Sequence, residues 1–198
     1  MVKGKFVNKR IGILGGTFNP IHIGHLTMAQ MAREQLRLDK VIFVPSFLPP
    51  HKKIADLAAP EHRLNMVQLS IEGNPFLEVS DFEIRKGGKS FTVDTVMHFY
   101  KISPPGTKIF FIIGGDSFPT LDSWKDIRAI LKMVSIIVVN RPGYKKGGHK
   151  IKHHSVIMPG IDISSSFLRQ RVRRGKSTKY FTVDSVADYI HRYKLYQS

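Results

Sequence analysis

Short runs of β-branched and other apolar residues alternate along this chain with stretches of helical periodicity. Arg10-Ile-Gly-Ile-Leu14 stops at Gly15-Gly16, and from Ile23 onward Leu26, Met31 and Leu36 fall along one helical face. Val41-Ile-Phe-Val44, closed by Pro45, predicts a second buried strand. Pro60 suits the first turn of a helix carrying Leu64, Val67 and Ile71, and Leu77 and Val79 open another extended stretch. Val93, Val96, Met97 and Tyr100 stand at i, i+3, i+4 and i+7, the stripe of an amphipathic helix. Lys108-Ile-Phe-Phe-Ile-Ile113 is too uniformly apolar for a sheet wetted on one face, and it runs into Gly114-Gly-Asp-Ser117. Leu121, Trp124, Ile127 and Leu131 predict a further helix, Val134 to Val139 a strand, and Val183, Val186, Ala187 and Ile190 a last helix. This order predicts an α/β fold with a doubly wound, mainly parallel sheet.

No internal repeat or low-complexity linker interrupts the pattern, and 198 residues suit one domain. Residues 49–56, with two prolines, and 141–149, with three glycines, predict surface loops. In a doubly wound sheet, loops leaving the carboxyl ends of strands are where ligands bind.

Composition narrows the chemistry. The absence of Cys excludes disulfides, thiolate zinc sites, iron–sulfur clusters and a thiol nucleophile. The basic stretch up to Arg10 is followed by an apolar run, Ile11 to Leu14, too short for a secretory signal. No run approaches the roughly 20 apolar residues of a membrane span, so the sequence predicts a soluble, cytoplasmic protein. Thirty-one Lys and Arg against 15 Asp and Glu give a formal charge of +16 and point to an anionic partner: nucleic acid, a membrane surface or a phosphorylated metabolite.

The arrangement of particular residues chooses among these. Gly15-Gly-Thr-Phe-Asn-Pro-Ile-His-Ile-Gly-His25 follows the first strand directly. Adjacent glycines let backbone approach a ligand and present N–H groups to an anion. His22 and His25, three apart at a helix entrance, can face one side. A zinc reading of the pair fails for want of thiolates or a carboxylate at ligand spacing. Gly88-Lys-Ser90 and Gly175-Lys-Ser177 imitate the end of a phosphate-binding Walker loop, but Glu83 and Gln170 stand where its first glycine is required. No G-x-G-x-x-G follows the first strand either.

In Ile163-Ser-Ser-Ser-Phe-Leu-Arg169, serines at a helix start cap free N–H groups, and the same groups can hold phosphate oxygens. Arg169 could close over such a phosphate as a bidentate fork. Asp116, just after a buried strand, reads on its own as a turn cap, and Trp124 as a core residue of its helix. The basic clusters around Lys145 to Lys152 and Arg171 to Lys176 read as solvated faces that can steer charged ligands.

Together, these segments resemble the nucleotidyltransferase superfamily marked by H-x-G-H after the first strand and I-S-S-T-x-x-R near the C-terminus. Within it the chain is similar to the bacterial nicotinate-nucleotide adenylyltransferases. The likeness runs almost end to end: Gly15 to His22, Pro45 to Lys52, Ser90 to Thr95, Ile113 to Ser117 with Trp124, Arg141 to Gly143, Ile163 to Arg169 and Val183 to Tyr196. Asn19, Gly115, Phe91 and Ser166 stand where Asp, Ala, Tyr and Thr are common, and Phe91 loses a hydroxyl.

The resemblance implies one Rossmann-like nucleotidyltransferase domain over residues 1–198, its part from about 160 helical and carrying the S-S-S-x-x-R phosphate motif. It implies transfer of AMP from ATP to nicotinate mononucleotide, with His22, His25 and Arg169 catalytic. Gly15, Gly16, Thr17, Phe18, Asp116, Ser164, Ser165 and Arg169 would bind ATP. His51, Lys52, Thr92 and Trp124 would bind the mononucleotide, Trp124 by stacking on the pyridine. Mg²⁺ would arrive with ATP, since no carboxylate cluster suggests a protein cage. The nearest rival is an adenylyltransferase for another phosphorylated acceptor, such as phosphopantetheine or nicotinamide mononucleotide. A non-catalytic nucleic-acid-binding domain would account for the charge, but no recognition helix or RNA-stacking motif accompanies it.

Overall fold

The strands in the middle of the sheet are apolar on both faces and need helices on both sides, and that is the architecture. The computed structural model describes residues 9–49, 56–140 and 151–197, so the loop predicted at 141–149 and most of that at 49–56 lie outside it. The strands are β1 (Arg10–Gly16), β2 (Lys40–Pro45), β3 (Leu77–Val79), β4 (Lys108–Gly114), β5 (Ser135–Asn140) and β6 (His153–Ile157). They form one sheet in the order β3-β2-β1-β4-β5-β6, every neighbouring pair parallel. The helices are α1 (Ile23–Gln35), α2 (Pro60–Ile71), α3 (Phe82–Lys86), α4 (Thr92–Ile102), α5 (Ile127–Met133), α6 (Ser165–Arg173) and α7 (Asp184–Arg192), with a 3₁₀ segment at Gly115–Ser123.

Strand periodicity divides the interior into two layers. Ile109, Phe111 and Ile113 of β4 and Ile136 and Val138 of β5 join Val93, Val96 and Phe99 of α4 on one face. Phe110, Ile112, Ile137 and Val139 turn to the other, against Ala29 and Ala32 of α1, Met66 and Val67 of α2, and Val186 and Ile190 of α7. The strand order reverses between β1 and β4, and the carboxyl ends of these two strands, Gly16 and Gly114, border the crevice where such sheets bind ligands.

Several expectations need correction. The helix predicted through Leu121, Trp124, Ile127 and Leu131 is two elements: the 3₁₀ segment ends at Ser123, Trp124 is extended, Asp126 is left-handed with φ 53°, and α5 begins at Ile127. Pro119, which has no N–H to donate, lies inside the 3₁₀ segment. On α4 the buried residues are Val93, Thr95, Val96 and Phe99, whereas Met97 and Tyr100 are exposed. On α2 the buried face begins at Arg63 and continues through Met66, Val67 and Ile71. No helix among the described residues is long and apolar enough to cross a membrane.

Candidate active site

The turn after β1 is shaped by a close contact that only glycine permits. A Cβ on Gly16 would lie 2.8 Å from the Phe18 ring, which folds back beneath the turn. Phe18, with φ 48°, is buried, edge-on to His25 at 5.1 Å and beside Phe43. Its ring is thus a pedestal for His25.

His22 is the extended residue that starts α1, and His25 follows one turn later. Their rings stack with centroids 3.7 Å apart and planes 27° apart. The His22 backbone N–H donates to His25 Nδ1 at 3.3 Å, which places the proton of a neutral His25 ring on Nε2 as a donor. Gly24 is the seat of His22: a Cβ there would meet His22 Nδ1 at 3.0 Å and Cε1 at 3.1 Å. The spacing H-x-G-H is therefore a packing requirement.

The C-terminal third docks on this turn. Ser164 caps α6 by accepting from Phe167 N–H at 3.2 Å, and Ser165 Oγ donates to the Pro20 carbonyl at 2.8 Å. Arg169 Nη1 donates to the Asn19 carbonyl at 2.8 Å and Nη2 to Ser166 Oγ at 3.1 Å, with Asp56 Oδ2 4.0 Å from Nε. Arg169 is thus held against the turn rather than lying on a solvated face. Burial works to lower its pKa, opposed by Tyr196.

Asn19, buried, anchors the turn from below. Its Oδ1 accepts from Ala58 N–H at 3.0 Å and from the Tyr196 hydroxyl at 2.8 Å, and its Nδ2 donates to the Asp56 carbonyl at 2.8 Å. An ionised Asp could not make the last bond. Burial pushes the Tyr196 phenol above its ordinary range and keeps it a neutral donor.

The other flank reaches the same turn through Phe111. Its ring would touch a Cβ on Gly15 at 3.3 Å and meets Trp124 edge-on at 6.0 Å. Trp124 and Phe91 are both half-buried against this layer, and Lys125 Nζ lies 4.6 Å from the centre of the Phe91 ring. Thr92 is the first helical residue of α4; Phe91 occupies the cap position with no side-chain cap hydrogen bond. Asp116, exposed in the first turn of the 3₁₀ segment, makes no cap bond either, contrary to its isolated reading. His51 and Lys52 lie outside the described residues.

Sequence reading missed Arg63 and Glu83, both buried. Arg63 donates to the carbonyls of Ala58, Thr17, Ser46 and Phe47. Glu83 accepts from Thr95, and burial raises its pKa. Counting back from Val67 by four along α2 lands on Arg63, the one signal that could have marked it as an inward residue. Two surface cavities, of about 710 Å³ between α2 and α7 and about 770 Å³ beside α6 and α7, are lined by none of the predicted site residues.

Comparison with known proteins agrees with this geometry. The cytidylyltransferase-like family model matches residues 13–171. A probable nicotinate-nucleotide adenylyltransferase of Lactiplantibacillus plantarum is 43% identical over 193 residues, covering 96% of this chain and 89% of that protein. Another, of Moorella thermoacetica, is 40% identical over 201 residues, covering 95% and 92%. The solved structure of Plasmodium falciparum nicotinic acid mononucleotide adenylyltransferase complexed with NaAD has a TM-score of 0.79 at 22% identity, covering 95% of this chain and 97% of that chain, a likeness of fold. The complex with APC gives 0.76 at 21% identity, with the same coverage. A chain with this sheet, this histidine pair and these near full-length relatives belongs to the cytidylyltransferase-like nucleotidyltransferases and, within them, to the nicotinate-nucleotide adenylyltransferase family.

Proposed function

We propose that this protein transfers AMP from ATP to nicotinate mononucleotide, releasing pyrophosphate and forming deamido-NAD, a step of NAD biosynthesis. The observation that carries the reading is the stacked His22–His25 pair beside Arg169 at the sheet's switch point, in a chain about 40% identical along almost its whole length to enzymes of that name.

A phosphate oxygen of the mononucleotide attacks the α-phosphorus of ATP. The new P–O bond forms as the bond from that phosphorus to the α–β bridging oxygen breaks, and pyrophosphate leaves with the electron pair. The nucleophile is already anionic at neutral pH, so no strong general base is required. Catalysis is alignment plus stabilisation of charge on the departing phosphates. His22 and His25 donate to those phosphates, the backbone from Gly15 to Phe18 lines the triphosphate, and Ser164, Ser165 and Arg169 hold its far end. Asp116 lies toward the ribose side.

The donors around the turn are imidazoles, N–H groups, hydroxyls and a guanidinium, which match phosphate oxygens rather than a divalent cation. Mg²⁺ therefore enters as part of the nucleotide substrate and screens its charge. The uncapped start of α4, beside Thr92, offers N–H groups to the pyridine carboxylate, while Trp124 stacks on the ring and His51 and Lys52 take the mononucleotide phosphate. The whole chain acts as one catalytic unit, because the C-terminal segment supplies Ser165, Arg169 and Tyr196 to the turn after β1. The proposal puts the protein in the cytoplasm with its substrates, and gives its charge a role in steering anionic nucleotides.

The test is pyrophosphate release from ATP and Mg²⁺ with nicotinate mononucleotide, nicotinamide mononucleotide and phosphopantetheine offered separately. Nicotinate mononucleotide should be used best. Preference for another acceptor would reassign the substrate, and no product from any of them would refute adenylyl transfer.

A further inference from the structure

Arg63 heads the side chains that the fold buries completely, and nothing in the reaction above uses it. Its Nε donates to the Ala58 carbonyl at 3.0 Å, Nη1 to the Thr17 and Ser46 carbonyls at 2.8 and 2.6 Å, and Nη2 to the Phe47 carbonyl at 2.8 Å. Burying a cation against carbonyls rather than a carboxylate is costly, and an apolar side chain of similar volume would fill the space without that cost. What an arginine supplies is geometry: a rigid planar fork that holds several acceptors in fixed relation.

The acceptors lie on three separate segments. Thr17 belongs to the turn after β1, between Gly16 and the Phe18 pedestal of His25. Ser46 and Phe47 belong to the turn after β2. Ala58 lies on the approach to α2, and its N–H holds Asn19.

From Phe47 the contacts continue across the sheet's rim. The Phe47 N–H donates to Ser90 Oγ at 3.0 Å, and the Ser90 N–H donates to the Leu48 carbonyl at 3.0 Å. Ser90 stands two residues before Thr92, the first residue of α4, and the buried Glu83 accepts from Thr95 in the first turn of that helix. Hydrogen bonds as far as Ser90, and two residues of backbone beyond it, thus join the turn beneath the histidines to the start of α4 through Arg63.

We propose that Arg63 is a positioning residue that sets the ATP-binding turn and the acceptor-binding flank against one another, through its fork rather than its charge. The inference rests on the adenylyl-transfer reading. Attack on the α-phosphorus needs the reacting atoms about 3–3.5 Å apart and aligned, so relaxing one flank against the other lowers turnover more than it lowers the affinity of either flank.

The experiment compares wild type, Arg63→Lys, Ser90→Ala and the double variant. It measures folded fraction by circular dichroism, binding of a non-hydrolysable ATP analogue, and kcat and KM for both substrates. Arg63→Lys keeps the cation but brings a single nitrogen to four carbonyls. It should lower kcat by about tenfold or more, with analogue affinity within threefold of wild type. Ser90→Ala cuts the same series one contact further on and should lower kcat severalfold. Because both act through the Phe47 segment, the double variant should lose less than the product of the single losses.

Values of kcat within twofold of wild type, losses that multiply independently, or losses that only follow the folded fraction would each overturn the proposal. If Arg63→Lys does not fold, Ser90→Ala decides by the same kcat and affinity criteria. An inactive wild type would instead overturn the adenylyl-transfer reading itself.

Discussion

Gly24→Ala should separate activity from stability at one atom. The added Cβ would stand 3.0 Å from His22 Nδ1 and 3.1 Å from Cε1. Unstrained contacts of this kind are nearer 3.5 Å, so the imidazole must give way by roughly 0.5 Å. It cannot simply lift, because the His25 ring stacks on it with a centroid separation of 3.7 Å. Both histidines proposed to donate to the departing phosphates are therefore displaced by an amount comparable to the tolerance of a catalytic constellation, about 0.5 Å. The expected fall in kcat is about tenfold to a hundredfold, or roughly 1.4–2.7 kcal/mol of transition-state stabilisation. Stability should hardly move. Alanine inside a helix is favoured over glycine by about 0.5–1 kcal/mol, which opposes the strain of the contact. In a domain of this size the thermal midpoint should stay within about 2–4 °C of wild type. Pyrophosphate release at saturating ATP and mononucleotide gives the first quantity, and a thermal melt gives the second. A variant with wild-type melting and kcat within twofold of wild type would refute the idea that His22 geometry limits turnover.

Three further outcomes follow from the same geometry. Arg169→Lys loses the fork that reaches both the Asn19 carbonyl and Ser166 Oγ, so kcat/KM for ATP should fall by about tenfold with the fold intact; wild-type kinetics would remove Arg169 from the site. Nicotinate mononucleotide should be preferred over the amide by about tenfold to a hundredfold for each bond left unmade at the start of α4. Thr92→Ala should shrink that ratio while Trp124→Ala weakens both acceptors together, and equal use of the two by wild type would refute the pocket assignment. Burial raises the folded-state pKa of Glu83, so the native protein holds this proton more tightly than the unfolded chain and loses stability as pH rises above the ordinary carboxylate range. Glu83→Gln should therefore gain thermal stability relative to wild type as pH rises from the ordinary carboxylate range toward neutrality, with the gain vanishing at lower pH. A difference that does not change with pH would show that Glu83 does not titrate in that window.

The fold was legible in proportion to how strongly each element is buried. β1, β2, β4 and β5 occupy the middle of the sheet, where both faces must be apolar, and each stands out as a continuous run. β6 is an edge strand with only Val156 buried, so it carries no run to detect. α3 has five residues, less than two turns, and offers no period to count. The false helix through Trp124 arose because residues from two elements meet the same core layer; periodicity registers which residues face inward but not whether the backbone between them is continuous.

In the turn after β1, sequence reading placed the glycines and the histidine pair, and the structure supplies the reason for their spacing: Gly16 admits the Phe18 pedestal and Gly24 seats His22. Arg63 and Glu83 escaped the same reading because a charged residue inside an amphipathic pattern is normally counted on the solvent side. Arg63 replaces lost hydration with four carbonyls contributed by segments up to 46 residues away, a distance at which no local pattern operates. Asn19 was read only as a departure from a common Asp, yet its two ends serve different partners, a carbonyl on one side and an N–H and a hydroxyl on the other. Residues that bind ligand sit in short contiguous strings because a turn presents them together. The residues that hold those turns in register are scattered, because each is chosen by the backbone it must reach.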